Sequence, residues 1–306
     1  MSLDTPHTVT ITPHTYTFKQ QSIYTQTYRN HTSQQTDNTA IVPFICLHGW
    51  MDNLASFEPL IDAMFEHATQ PLTFIAIDLP GHGKSDHATG VNAYNIWSDI
   101  STIMSVLDSI GVTEFALLGH SRGAMIATLL AGTFPERVTH LCVIESIIAP
   151  VDASTLAPVG LRESVNSQIK LLTKKQNYYT TFDQAVQARA KGVVNVLYDD
   201  AKTLAQHGVR QSEKGFYWHV DAMLLAPSEI KLSLDQTQAF FEAITAPVHL
   251  VLGVDGLITP NKEMMAWIKK QPHLTPYILK GGHHLHMSQA SYEVAQYLLN
   301  VTAKNR

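Results

Sequence analysis

Short apolar, β-branched runs alternate along the chain with longer stretches whose apolar residues recur at helical spacing. This alternation predicts an α/β protein with a mostly parallel sheet, because parallel strands must be joined by crossovers long enough to hold a helix. A Thr- and Tyr-rich start, about residues 7–28, predicts one or two leading strands arranged as a hairpin. Buried strands follow at "IVPFICLHG" (41–49), "LTFIAIDLPGHG" (72–83), "FALLGH" (115–120), "HLCVIES" (140–146), "PVHLVLGVDG" (247–256) and "TPYILKGG" (275–282). Amphipathic segments near 56–67, 92–110, 122–133, 236–245, 261–270 and 288–302 predict helices, the last covering one face of the sheet.

One interval breaks this rhythm. Residues 147–235 separate two strands by far more than the roughly 12 residues of an ordinary crossover. The interval carries helical patterns and the aromatic cluster "GFYWHV", and it is too apolar for a disordered loop. The chain therefore divides into a core, residues 1–146 and 236–306, and a helical insertion, residues 147–235, expected to pack over one edge of the sheet as a lid.

Composition narrows the class. A chain of 306 residues, 45% hydrophobic and 15% charged, has the material for one large core with an insertion. The net charge of −5, from 21 Lys+Arg against 26 Asp+Glu, gives no electrostatic footprint for nucleic acid and no basic stretch for an anionic membrane. No apolar run approaches the roughly 18 residues of a membrane span, and the polar N-terminus lacks the apolar centre of a signal peptide. Cys46 and Cys142 both lie in apolar strands, as core thiols of a reducing compartment do, so the expected location is cytoplasmic.

The candidate chemistry centres on "GHSRG" (119–123), between the run "FALL" and the helical stretch "MIATLLAG". A nucleophilic serine must project from a sharp turn, and Gly119 and Gly123 remove the side chains that would collide there. At a helix N-terminus, unpaired N–H groups and the helix dipole favour negative charge, so the backbone N–H of Arg122 is one expected oxyanion donor. The loop "LHGWMDN" (47–53) delivers His48 and Gly49 to the same sheet edge and offers the N–H of Trp50 as the second.

In order, "LHGWMDN", "IDLPGHGKS", "LGHSRG", "FPERV" and "GGHHLHM" resemble the motifs of the α/β-hydrolase fold family, over nearly the full length. The tracts "HGWMDNLASFEPLI" and "FYWHVDAMLLAPS" look most like its serine hydrolase-like branch. The resemblance implies an eight-stranded, mostly parallel sheet with helices on both faces and a helical cap after the sixth strand. Haloalkane dehalogenases and epoxide hydrolases share the fold but place an aspartate where this chain has Ser121, which disfavours those activities.

The resemblance also implies a general base near the C-terminus. His283, His284 and His286 compete, and the family spacing of four residues to an apolar position, here Met287, selects His283. A metal site is the rival reading of "HHLH". Neighbouring His283 and His284 point apart, and no carboxylate or thiol accompanies them in sequence, so no metal is expected. The acid departs from the family pattern. The family form Gly-X-X-Asp after strand 247–256 would put it at 256, where this chain has Gly256, and Asp255 is one position early. Glu145 ends an apolar strand at the same edge, where some families carry the acid, and a buried carboxylate there wants a cationic partner. Glu145 is the preferred acid and Asp255 the alternative.

Other polar residues have simpler readings. Asp78 orders its loop, Asp52 and Asn53 make loop hydrogen bonds in preference to contacting substrate, and the Arg122 side chain pairs with an acidic residue of the cap in preference to meeting a substrate carboxylate. His48, Gly49, Trp218, Met223 and His284 are expected around a mostly apolar substrate pocket, with Phe216, Tyr217 and Leu224 nearby. The resulting expectation is a cofactor-free serine hydrolase acting on a small-molecule ester, a carboxylesterase for small to medium apolar acyl or aryl esters. Thioesterase, amidase and carbon–carbon bond hydrolase share the same triad, and a non-catalytic ligand-binding relative is the reading from another class.

Overall fold

The structure is a computed structural model, described over residues 8–31, 41–90, 94–148, 157–271 and 274–303. The expected first residue of the leading strand, the first residues of the 92–110 helix and residues 149–156 of the insertion lie outside that description. An eight-stranded sheet forms the centre. In chain order its strands are β1 (Thr8–Phe18), β2 (Gln21–His31), β3 (Phe44–Leu47), β4 (Thr73–Ile77), β5 (Phe115–His120), β6 (Val138–Ile144), β9 (Val248–Asp255) and β10 (Pro276–Gly282). Their spatial order is β1-β2-β4-β3-β5-β6-β9-β10. β1 and β2 form the expected antiparallel hairpin and β2 pairs antiparallel with β4; every later pairing is parallel.

Alternation along the central strands sorts the core into two layers. Ile45, Leu47, Ile75, Ile77, Leu117, Leu141, Val143, Leu250 and Leu252 face one side with residues of α2 (Ser98–Ser109), α3 (Arg122–Thr133), α7 (Leu234–Glu242) and α8 (Lys262–Lys270). Phe44, Cys46, Phe74, Ala76, Ala116, Leu118, Cys142, Ile144 and Val251 face the other, beneath α1 (Glu58–His67) and α9 (Ser291–Ala303). Because both faces are covered, β3 to β6 are buried along nearly their whole length and read as continuous apolar runs. Both thiols are unpaired and buried in this core, and burial pushes Cys142 up to about 12.

Between β6 and α7 the chain leaves the sheet. The inserted segment contains α4 (Ala157–Leu171), α5 (Phe182–Ala190) and α6 (Tyr198–Gly208), then an antiparallel hairpin of β7 (Val209–Ser212) and β8 (Gly215–Trp218). The hairpin was not expected: "GFYW" reads as an aromatic cluster among helical patterns, yet it forms β8, whose first residue, Gly215, takes φ 113° directly after the turn. Within this segment Val186, Ala201 and Ala205 form a small core of their own. No helix among the described residues is long and apolar enough to cross a membrane.

His249 on β9 and His140 on β6 stack at 5.8 Å on neighbouring strands. Burial, reinforced by His140, lowers His249 to about 4. The unfolded chain, with a histidine near 6.5, therefore binds more protons than the native state as pH falls from about 6.5 towards 4, so stability is lost through that window. In denaturant titrations, His249→Val should flatten this acid limb. After allowance for the half-exposed ring, the difference is about 1 kcal/mol at pH 5 and small at pH 8.

Candidate active site

The turn between β5 and α3 holds Ser121 at φ 51° and ψ −116°, a left-handed conformation that costs a non-glycine residue strain. Its N–H donates to the carbonyl of Ile144 at the end of β6 (3.0 Å), and its carbonyl accepts from Ala124 N–H (3.0 Å), which fixes the turn from both sides. The two flanking glycines are obligatory for packing. A Cβ on Gly119 would lie 2.6 Å from the Gly123 carbonyl oxygen and Ala124 Cα, and one on Gly123 would lie 1.8 Å from the carbonyl oxygen of Leu47. Gly123 thus lets the first turn of α3 press against the backbone of Leu47 and His48, where β3 ends. That contact seats the N-terminus of α3, where Arg122 stands, against the end of β3, from which the loop containing Trp50 leaves. Neither N–H finds an acceptor among the described residues.

Ser121 Oγ lies 2.9 Å from His283 Nε2, and His283 Nδ1 lies 3.1 Å from Glu145 Oε2. His283 stands just beyond β10, in a loop fastened by Gln289 Oε1, which accepts from Gly282 N–H at 2.8 Å. The Glu145 side chain is excluded from water and accepts two backbone N–H groups, from Gly253 (2.6 Å) and Leu257 (2.9 Å). Glu145 is itself at φ 56°. The structure therefore brings Ser121, His283 and Glu145 into one hydrogen-bonded line. Asp255, the last residue of β9 directly before Gly256, is exposed, and no hydrogen bond joins its side chain to His283. Gly256 faces the carboxylate of Glu145, and a Cβ there would lie 2.2 Å from both oxygens.

Several expected pocket residues lie elsewhere. His48 is fully buried, bonds the Gly49 carbonyl through Nδ1 (2.8 Å) and accepts from Leu79 N–H through Nε2 (3.0 Å), joining two loops. Gly49 is wedged between Asp52 and His120. Met223, within the inserted segment, is buried and lines neither of the two cavities at this edge that follow. Trp218 does line a cavity of about 310 Å³, with Trp50, Tyr179, Val220, Ala222 and Leu225. A second cavity, about 250 Å³, has His283, His284 and Asp255 in its walls, and Val193 and Val194 border both. Phe216 and Tyr217 instead pair with Phe182 and Tyr178 within the inserted segment.

The Arg122 side chain pairs with a carboxylate, but the partner is Asp99 of α2 (2.6 Å) and not an acidic residue of the insertion. Burial raises Asp99 and the guanidinium only partly offsets it. Asp78 orders its loop as expected, accepting from Leu54 N–H (2.9 Å) and Lys84 N–H (2.8 Å), and it also meets His207 of α6 at 2.7 Å. Asp52 does more than make loop bonds. It holds Arg189 of α5 at 2.6 Å and His284 Nε2 at 3.0 Å, so a carboxylate does accompany the histidine cluster. Burial alone would raise Asp52, but His284 and Arg189 hold it well below the usual carboxylate range. Arg189, His207 and His120 carried no expectation from sequence; their partners lie 137, 129 and 163 residues away, beyond any local pattern.

A strand-edge serine in a strained strand–turn–helix elbow, hydrogen-bonded through a late histidine to a buried carboxylate, defines a hydrolase-type site on a doubly covered parallel sheet. The model of the alpha/beta hydrolase fold family matches residues 42–290, and the chain belongs to that family. It is 25% identical to a serine hydrolase-like protein of Danio rerio over 80% of this chain and 77% of that one. It is 28% identical to a probable serine hydrolase of Drosophila melanogaster over 80% and 76% of the two chains. Among solved structures, a hypothetical protein of Pseudomonas aeruginosa PAO1 superposes with a TM-score of 0.85 at 30% identity, covering 95% of this chain and 99% of that one. Family and relatives together support a hydrolase.

The elbow makes a direct stability prediction. Gly123→Ala drives a Cβ into the Leu47 carbonyl and should cost about 3 kcal/mol in chemical denaturation. Gly160→Ala, in α4 with nothing within 4 Å of its Cβ, should be neutral or stabilise by up to about 1 kcal/mol. Equal effects at the two positions would remove the packing explanation.

Proposed function

We propose that the protein is a serine carboxylesterase for small to medium apolar acyl or aryl esters. The observation that carries this reading is the unbroken line from Ser121 Oγ through His283 to Glu145. Ser121 Oγ attacks the ester carbonyl carbon while its proton passes to His283 Nε2. The carbonyl π electrons move to oxygen, and the N–H groups of Arg122 and Trp50 stabilise the oxyanion. Glu145 orients His283 through Nδ1 and offsets the imidazolium charge, and its two backbone donors keep it from rotating away. Collapse expels the alkoxide, which takes the proton from His283 and leaves an acyl-enzyme on Ser121. Water then gives a proton to His283 and adds to the acyl carbon, and the carboxylic acid departs as Ser121 is reprotonated. This route calls for no metal or organic cofactor.

The segment between β6 and α7 serves as the cap. Support for the apolar preference comes from the cavity that Trp50 shares with Trp218, Tyr179, Val220, Ala222 and Leu225, which joins the proposed oxyanion loop to aromatic walls of the inserted segment. Trp50 is fixed there by its ring N–H, which donates to the Leu224 carbonyl at 2.7 Å.

Release of nitrophenol from short-chain nitrophenyl esters tests the reading. Ser121→Ala should lower kcat by at least about 10⁴-fold and abolish covalent labelling by a fluorophosphonate. An unreactive Ser121 in the parent protein would instead favour a ligand-binding hydrolase relative. Glu145→Gln should lower kcat by about 10³- to 10⁴-fold, with KM little changed, because the amide no longer favours the productive tautomer and charge of His283. Asp255→Asn should stay within a few-fold of the parent. The opposite ranking would move the acid to Asp255.

A further inference from the structure

Beneath the proposed triad lies a second group of polar atoms that hydrolysis leaves unused. Asp52 Oδ2, His120 Nδ1 and His284 Nε2 converge within 4.8 Å of one another, and all three residues are buried. His120 Nε2 lies 2.8 Å from the carbonyl oxygen of His283, so that nitrogen carries the proton and donates it. The neutral ring then turns the lone pair of Nδ1 towards Asp52 Oδ2, 3.8 Å away, and His120 Nδ1 has no hydrogen-bond partner. A nitrogen lone pair facing a carboxylate oxygen is repulsive unless something positive stands between them. Gly49 keeps that space open, because a Cβ on it would lie 2.9 Å from both Asp52 Oδ2 and His120 Nδ1.

We propose that Asp52, His120 and His284 form a site for a borderline divalent transition-metal cation such as Zn²⁺. Donors bound to zinc at about 2.0–2.2 Å in a tetrahedron lie about 3.4 Å apart. The separations from Asp52 Oδ2, 3.0 Å to His284 and 3.8 Å to His120, bracket that value. The outer contacts also follow the habit of metal ligands. His120 donates its second ring N–H to a backbone carbonyl, and Asp52 uses its other oxygen to accept from Arg189 Nη2 at 2.6 Å. The second cavity, walled in part by His284, supplies a path to the site, and solvent completes the coordination.

Two features restrain the affinity. Arg189 neutralises Asp52 and its Nη2 lies 3.4 Å from His284 Nε2, so the cation enters a site with no net negative charge. Loading also moves the His284 proton to Nδ1, which has no partner among the described residues. Two imidazoles and one shared carboxylate then give micromolar and not nanomolar binding. The nitrogen-rich set selects zinc, cobalt or nickel over magnesium.

Calorimetric titration of Zn²⁺ into the metal-free full chain tests this without reference to turnover, so it fails or stands separately from the hydrolase reading. One equivalent should bind with micromolar Kd, and Asp52→Asn and His120→Asn should each weaken it at least about 10-fold. His87→Asn should leave it unchanged; His87 is near Asp221 (3.9 Å) and is the control for adventitious histidine binding. Where a variant unfolds by circular dichroism, Co²⁺ decides: the parent should give an intense tetrahedral visible band and selectively broaden the ring signals of His120 and His284. No one-to-one binding below about 100 μM, broadening centred on other histidines, or loss of binding with His87→Asn would overturn the proposal.

Discussion

The carboxylate of Glu145 is the fixed point on which the candidate site depends. It is sealed from water at the end of β6 and accepts from Gly253 of β9 and Leu257 just beyond that strand, while meeting His283 of the loop after β10. Three segments distant in sequence are thereby set in register by one side chain. A buried carboxylate without partners would cost several kcal/mol, so each of these segments is held where it can satisfy the charge. The positive φ at Glu145 and at Ser121 shows how the backbone is bent to reach this arrangement, and the Ser121 N–H to Ile144 carbonyl bond couples the two bends.

The same device repeats along this edge of the sheet. Asp52 holds Arg189, Asp78 holds His207 and Asp99 holds Arg122, all with buried carboxylates. Two of these pairs, Asp52–Arg189 and Asp78–His207, join the core to the inserted segment, and Asn53 adds a bond from Nδ2 to the Leu204 carbonyl at 2.9 Å. Such pairs add little net stability compared with apolar packing, but removing one partner leaves an uncompensated charge worth about 3–5 kcal/mol. They therefore act on register. Among the described residues the inserted segment has only a small apolar core, and these polar ties fasten it to the sheet domain. Asp52 and Asp78 are both held below the ordinary carboxylate range against the opposing effect of burial, as carboxylates that stay charged in the native state must be.

Much of this was legible in the sequence because the information is local. Buried parallel strands read as apolar runs, and each of the seven expected strand regions is occupied by strand, with β5 over the same residues 115–120. Ser121, with glycines at i−2 and i+2, carries its own packing constraint, and the spacing from His283 to Met287 marks a position without reference to partners. What local sequence does not carry is the assignment of contacts. His48 and Met223 look like pocket residues by composition, but whether a residue at a sheet edge faces a cavity or a neighbouring loop depends on packing between distant segments. Arg189 sits on an ordinary amphipathic helix, and nothing near it in sequence announces that its partner is Asp52. The hairpin of β7 and β8 was missed because its strands are four residues each, short enough to vanish among helical patterns.

The position of Glu145 beside His283, where the family pattern expects an aspartate at 256, has a steric counterpart in Gly256. The family form places an aspartate at that point of the chain, and here the residue is glycine with its missing Cβ lying 2.2 Å from the oxygens of Glu145. The two solutions compete for one volume. A carboxylate can reach His283 Nδ1 from the end of β9 or from the end of β6, but the side chain that arrives first excludes the other. Glutamate suits the β6 route because its extra methylene lengthens the reach from the end of β6, where its oxygens take up the N–H groups of Gly253 and Leu257. The glycine at 256 and the glutamate at 145 are therefore one feature, separated by 111 residues in sequence and by a missing side chain in space. Asp255, one residue early, is left facing solvent as a bystander of that exchange.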